Sequence, residues 1–159
     1  MDEKRWDMLQ HHSNNYLTMA FSTDHCEVIH HPDGYGKRTG DCGDTVEMFI
    51  MVSGELIESI SFRINGCMNT HACANTVANL SEGKSIEEAW NLTPETIIRF
   101  LETLPSTSIH CAELAVGAFY LALTNYQMLK KETWKKNYQK FVPFEGRGYT
   151  HTPDIMEQR

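Results

Sequence analysis

Residues 45–67 read TVEMFIMVSGELIESISFRINGC, and this stretch decides the fold class. Val46, Met48, Ile50 and Val52 alternate with Glu47, Phe49 and Met51. Beyond Ser53-Gly54, Ile60, Phe62 and Ile64 alternate with Ser59, Ser61 and Arg63. A side-chain period of two on either side of a glycine-containing turn predicts a β-hairpin whose strands each carry an apolar face. Gly66 then ends the second strand, and the Ala/Asn/Val-rich segment from Cys67 to about Leu80 predicts a helix stopped by Gly83.

Further from the hairpin, helix signals follow one another. Ser85 and Glu88 are spaced as a capping box for a short helix ending near Trp90. Thr93-Pro94 supplies an N-cap and a first-turn proline for a helix that lines up Ile97, Ile98, Leu101 and Leu104. Pro105-Ser106-Thr107-Ser108 punctuates the chain before a long helix over about Ile109–Lys130, with Leu114, Ala118, Ala122 and Leu129 as buried candidates. An N-terminal segment, a small antiparallel sheet and then helices make an α+β domain with its helices collected on one face of the sheet.

Composition narrows the function classes. The chain has 159 residues, a formal charge of -7 and 41% hydrophobic residues, in keeping with one compact domain. Residues 130–159 hold seven bases and four acids, which leaves residues 1–129 with seven bases and 17 acids, a body near -10 and a tail near +3. An acidic body argues against nucleic-acid binding, which needs clustered Lys and Arg. The longest apolar run, Leu114 to Leu123, has ten residues, short of the roughly 18 of a membrane span. MDEKRWDML is followed by no hydrophobic block, so a cytoplasmic, reducing setting is expected.

In that setting the five cysteines are read as ligands or nucleophiles rather than as a disulfide framework. Cys42 lies in GDCGDT before the first hairpin strand, Cys67 in NGC between strand and helix, and Cys111 in IHCAELA at the start of the long helix. A side chain at such a junction is expected to point out of the fold, and a thiol at a helix N-terminus to be favoured as thiolate. Cys42 and Asp44, two apart, face the same side of an extended segment, and His110 adds an imidazole beside Cys111. Three thiolates with one carboxylate or imidazole suit zinc and an iron-sulfur cluster alike. An oxygen ligand in fourth place favours a cluster held temporarily.

DCGDT, NGC at a strand-to-helix junction and HCAELA, in this order and spacing, resemble the IscU/NifU family of iron-sulfur cluster assembly scaffolds. The resemblance runs from about His31-Pro32 to Gln127 and includes Gly83-Lys84-Ser85 before the short helix. It implies about three strands with helices on one face, and a scaffold rather than an enzyme. Cys42, Cys67 and Cys111 would be the assembly cysteines, with Asp44 promoting cluster release, His110 a nearby alternative ligand and Cys111 the sulfur acceptor. A transient 2Fe-2S cluster, iron, a cysteine desulfurase and apo iron-sulfur client proteins are the cofactors and partners implied. Retention of His110 and the short stretch between Asp44 and Cys67 set the chain apart from the zinc-bound SufU branch. LPSTSI before His110 stands where many members carry a Leu-Pro-Pro-Val-Lys site for an Hsp70-type chaperone, so that chaperone is not expected to recognise this chain.

Two rival readings use the same side chains. One is a structural or regulatory zinc domain. The other is a sulfur-transfer thiol protein in which Cys111 is the nucleophile and His110 its base, although neighbours on a helix point about 100° apart, which makes that pair awkward. His71, four residues after Cys67, is an extra ligand candidate on the same helix face, or an ordinary partly exposed helix histidine. Cys73 is expected in the core and Cys26 outside the site. His11, His12, His25, His30 and His31 lack a ligand spacing. The expected organisation is an N-terminal segment over 1–30, a scaffold domain over 31–130 and a basic aromatic extension over 131–159. Trp134, Tyr138, Phe141 and Phe144 in that extension form a candidate docking stripe or the face of a solvated helix.

Overall fold

The computed structural model describes Glu3 and residues 9–131, so the aromatic stripe of the extension lies outside the described residues. The chain divides into two units, 1–127 and 128–159, and of the second only Met128–Lys131 is described. In chain order the elements are α1 (Asn14–Phe21), β1 (Gly34–Thr39), β2 (Thr45–Ser53), β3 (Leu56–Asn65), α2 (Met68–Ser81), α3 (Ile86–Ala89), α4 (Pro94–Leu101), a 3-10 turn (Ser106–Ser108) and α5 (Ile109–Lys131).

The hairpin forms in the expected phase. β2 and β3 pair antiparallel with Met48 opposite Phe62 and Ile50 opposite Ile60, around a turn in which Gly54 takes φ +67°. Val46, Met48, Ile50, Ile60 and Phe62 are all fully buried and face the helices. Each such side chain contributes about 1.5–3 kcal/mol relative to leaving it in water. The opposite face is closed by its own pairs: Tyr35 lies 5.3 Å from Phe49, its hydroxyl donates to Glu47 Oε1 at 2.6 Å, and Arg63 Nη2 meets Glu47 Oε2 at 2.6 Å.

The third strand comes from GYGKRT, which pairs antiparallel with β2 and gives the order β1-β2-β3. Its glycines have a packing reason. A Cβ at Gly34 would stand 2.5 Å from the Ala122 carbonyl oxygen, and one at Gly36 2.3 Å from that of Ala118, so β1 lies directly on the backbone of α5.

The helix signals are realised. Ser85 and Glu88 make both capping-box hydrogen bonds at 3.0 Å, and Thr93 caps α4 with Pro94 in its first turn. Ile97 and Leu101 are buried, whereas Ile98 and Leu104 pack at the core's margin. Leu114, Ala118 and Ala122 are buried in α5, but Leu129 is exposed. The helix of the N-terminal segment shares the core. Tyr16, Met19 and Ala20 are buried there, and Ser13 caps α1 and donates to the Leu101 carbonyl oxygen at 2.7 Å. The α5 region is long and apolar enough, by composition, to cross a membrane, but half of its most apolar window is buried inside the protein. Its apolar side chains thus serve the domain core.

Candidate metal centre

Three chain crossings meet at one end of the sheet. The turn between β1 and β2 closes with Gly40 N–H donating to the Asp44 carbonyl oxygen at 2.9 Å, and Gly43 takes φ +92°. Asp44 leaves this turn at the start of β2. Gly66 ends β3 beside it: a Cβ there would stand 2.5 Å from Asp44 Oδ2, so glycine lets the carboxylate lie against the backbone. Cys67 follows as the N-cap of α2, and Cys111 comes in on the first turn of α5.

Among the described residues, ligand atoms of Asp44, Cys67 and Cys111 lie within 4.8 Å of one another. Donors around a tetrahedral metal with bonds of about 2.3 Å stand roughly 3.8 Å apart, so these side chains need only a modest contraction to share an ion. Two thiols and a carboxylate are chemically fitted to zinc or to iron bound through sulfur.

A buried hydroxyl ties the three together. Thr70 Oγ1 donates to Asp44 Oδ2 at 2.6 Å and stands 3.3 Å from Cys111 Sγ and 3.6 Å from Cys67 Sγ. The Cys67 N–H adds a longer bond to the same carboxylate oxygen, at 3.3 Å. Led by the Thr70 hydrogen bond, these contacts hold the Asp44 carboxyl below its usual range, so it is an anion at neutral pH. Further support comes from a chain in which Tyr16 Oη donates to Asn69 Oδ1 at 2.5 Å and Asn69 Nδ2 donates to Ser108 Oγ at 3.0 Å. That chain fixes the start of α2 against the start of α5, the two places that carry Cys67 and Cys111.

Several expectations are corrected. Cys111 points inward with 1% exposure, not out of the fold, and burial pushes its thiol up to about 11. Desolvation at this position outweighs the helix dipole, so thiolate is not favoured there in the metal-free protein. Cys42 is exposed and is not within 4.8 Å of all three gathered groups. The segment Cys42–Asp44 is a turn, not an extended strand, so the two-residue spacing does not set both side chains on one side. Cys42 instead lines a cleft of about 420 Å³ with His110, Arg38 and Glu113. His110 Nε2 stands 3.6 Å from Cys111 Sγ, since an imidazole long enough to fold back overcomes the 100° between adjacent positions.

His71 is turned away from the three. Its Nε2 pairs with the Ser22 carbonyl oxygen at 2.8 Å, and its ring meets Phe62 edge-on. Cys67 has extended backbone angles as an N-cap, so the residue its side chain meets is Thr70, three positions on, rather than His71. Cys26 Sγ lies 4.0 Å from that histidine. Cys73 is fully buried, as expected, and its thiol is pushed up by desolvation. Thr70, Asn69 and Tyr16 were not singled out from the sequence. The signal for Thr70 was its place three residues after an N-cap cysteine.

The family model for the NifU-like N terminal domain matches residues 29–133. The iron-sulfur cluster assembly scaffold protein IscU 1 of Archaeoglobus fulgidus is 34% identical over 85 residues, 54% of this chain; the chain spans only 56% of that relative's length. The scaffold protein IscU of Buchnera aphidicola subsp. Acyrthosiphon pisum is 37% identical over 90 residues, covering 56% of this chain and 70% of the relative. A solved nitrogen-fixing NifU-like protein (N-terminal) from Brucella abortus superposes with a TM-score of 0.61 over 73% of this chain and 94% of the other, at 12% identity, a likeness of fold. With its α+β sheet-and-helix architecture and its matched residues, the chain belongs to the NifU-like N-terminal domain family.

Proposed function

We propose that this chain is a scaffold on which a transient 2Fe-2S cluster is built and from which it is passed to apo-proteins. The observation that carries this reading is the convergence of Asp44, Cys67 and Cys111 within 4.8 Å from three separate parts of the chain. Relatives named as scaffold proteins lend it support. In this reading iron, sulfide and the cluster are cargo, and the chain is a carrier rather than an enzyme. Cys67 and Cys111 hold the cluster, Cys42 and His110 close in from the adjoining cleft, and Asp44 is the oxygen ligand that lets it go. A hard carboxylate holds iron in a cluster less firmly than a fourth thiolate.

Sulfur arrives by exchange with a cysteine desulfurase persulfide. A thiolate of this chain attacks the outer sulfur, a new S–S bond forms, and the donor's S–S bond breaks to leave its cysteine as thiolate. Exposed Cys42 and Cys67 can reach the donor sulfur as they stand, whereas Cys111 accepts sulfur once its burial is relieved. A reducing, cytoplasmic setting suits five free cysteines. The chain is reconstituted anaerobically with a desulfurase, cysteine, ferrous iron and a reductant, then mixed with an apo-ferredoxin. A visible cluster spectrum that moves to the acceptor, more slowly from Asp44→Ala, is expected. Zinc bound with no sulfide incorporated would favour the zinc-domain reading instead.

A further inference from the structure

Thr70 is a threonine with 0% exposure on the first turn of α2, and its hydroxyl is aimed differently from that of its neighbour Thr76. Thr76, equally buried, donates to the Ala72 carbonyl oxygen one turn back at 2.7 Å, the common way to satisfy a helix hydroxyl. The Thr70 hydroxyl instead stands 2.6 Å from Asp44 Oδ2, 3.3 Å from Cys111 Sγ and 3.6 Å from Cys67 Sγ. It touches each of the three side chains that gather at the candidate centre.

A hydroxyl has one proton and two lone pairs. Against an ionised carboxylate at 2.6 Å the proton goes to Asp44, and the lone pairs are left on the side of the two sulfurs. Thr70 thus contacts all three groups at once. The bond to Oδ2 leaves Oδ1 for a metal, because Oδ1 is not the oxygen that Thr70 and the Cys67 N–H engage.

We propose that Thr70 is a positioning residue for the metal centre: its hydroxyl holds Asp44 by Oδ2 and presents the carboxylate to the metal, so that it sets how firmly the one oxygen ligand binds. This rests on the reading that Asp44, Cys67 and Cys111 bind metal. Outer hydrogen-bond partners of this kind change metal affinity by about 10- to 100-fold when removed.

The test is anaerobic titration of the full chain with Co²⁺, followed by thiolate-to-cobalt charge-transfer absorption and by chelator competition. Thr70→Val is expected to weaken Co²⁺ binding about tenfold, and Thr70→Ser to restore it to within about threefold. In an Asp44→Ala background, Thr70→Val should cost less than about twofold more, because the carboxylate it acts through is gone. If Thr70→Val proves unfolded by thermal melting, Thr70→Ala takes its place under the same criteria. Binding by the single variant within about twofold of wild type, or an undiminished tenfold loss in the Asp44→Ala background, overturns the proposal. A wild-type chain that gives no charge-transfer band overturns the metal reading itself, a result distinguishable from failure of the Thr70 role.

Discussion

Cys111 should be the slow thiol of the site until metal or a partner opens it. Burial pushes its thiol up to about 11 in the folded, metal-free chain. At pH 8 such a group is thiolate for only about 0.1% of the time, against roughly 24% for an ordinary cysteine near 8.5, a deficit of about 240-fold. A more basic thiolate is also a better nucleophile, and with a Brønsted slope of about 0.4–0.5 this returns about 10- to 18-fold. The net expectation is alkylation about 15- to 25-fold slower than in the unfolded chain, before the 1% exposure slows it further. The assay is timed iodoacetamide labelling of metal-free protein, with the Cys111 peptide quantified by mass spectrometry with and without denaturing urea. Between about pH 8 and 10 the folded rate should climb roughly 90-fold while the unfolded rate climbs only about fourfold. The same shift has a stability consequence. The folded state keeps its proton longer than the unfolded one, so a stabilisation of about 3 kcal/mol present below pH about 9 is lost as pH rises through about 11. Labelling of folded Cys111 at pH 8 within about threefold of the unfolded rate would refute the claim that burial decides its chemistry.

Two glycines give sharper structural tests. Gly66→Ala places a methyl group 2.5 Å from Asp44 Oδ2, so the carboxylate must move. Co²⁺ affinity should fall about tenfold or more with thermal stability nearly kept, whereas unchanged affinity would show that Asp44 need not lie there. Gly36→Ala drives a methyl against the Ala118 carbonyl oxygen at 2.3 Å and should lift β1 off α5. Urea denaturation is expected to record about 3 kcal/mol lost, and a loss under about 0.5 kcal/mol would contradict the close strand-helix contact.

The parts of the fold that were legible in the sequence are those governed by local chemistry. Period-two alternation placed β2 and β3, and Ser85/Glu88 and Thr93-Pro94 placed two helix starts. No local signal located β1, because Gly34 and Gly36 carry no side chain to show a period. Their purpose is a backbone contact with α5, some 80 residues away in the chain, that no local pattern displays. At the site, Asp44, Cys67 and Cys111, which the motif strings single out, lie within 4.8 Å of one another. Their environment was not legible. Cys111 at a helix start suggested an activated thiol, but its burial depends on groups far off in the chain, among them Thr70 at 3.3 Å from its sulfur. Helical-wheel reasoning from Cys67 pointed to His71, as an extra ligand or an ordinary helix histidine, and passed over Thr70 because it counted an N-cap residue as if it were already inside the helix.

The central claim is that Asp44, Cys67 and Cys111, with Cys42 and His110 close by, hold a cluster for transfer. Its most direct measurement is the iron and acid-labile sulfide content of the chain after anaerobic reconstitution, for wild type and for Cys42→Ala, Cys67→Ala and Cys111→Ala in parallel. Equal amounts of iron and sulfide in wild type, with sulfide lost from each cysteine variant, is the predicted result. Sulfide retained when Cys67 or Cys111 is removed, or never incorporated in wild type, would contradict it.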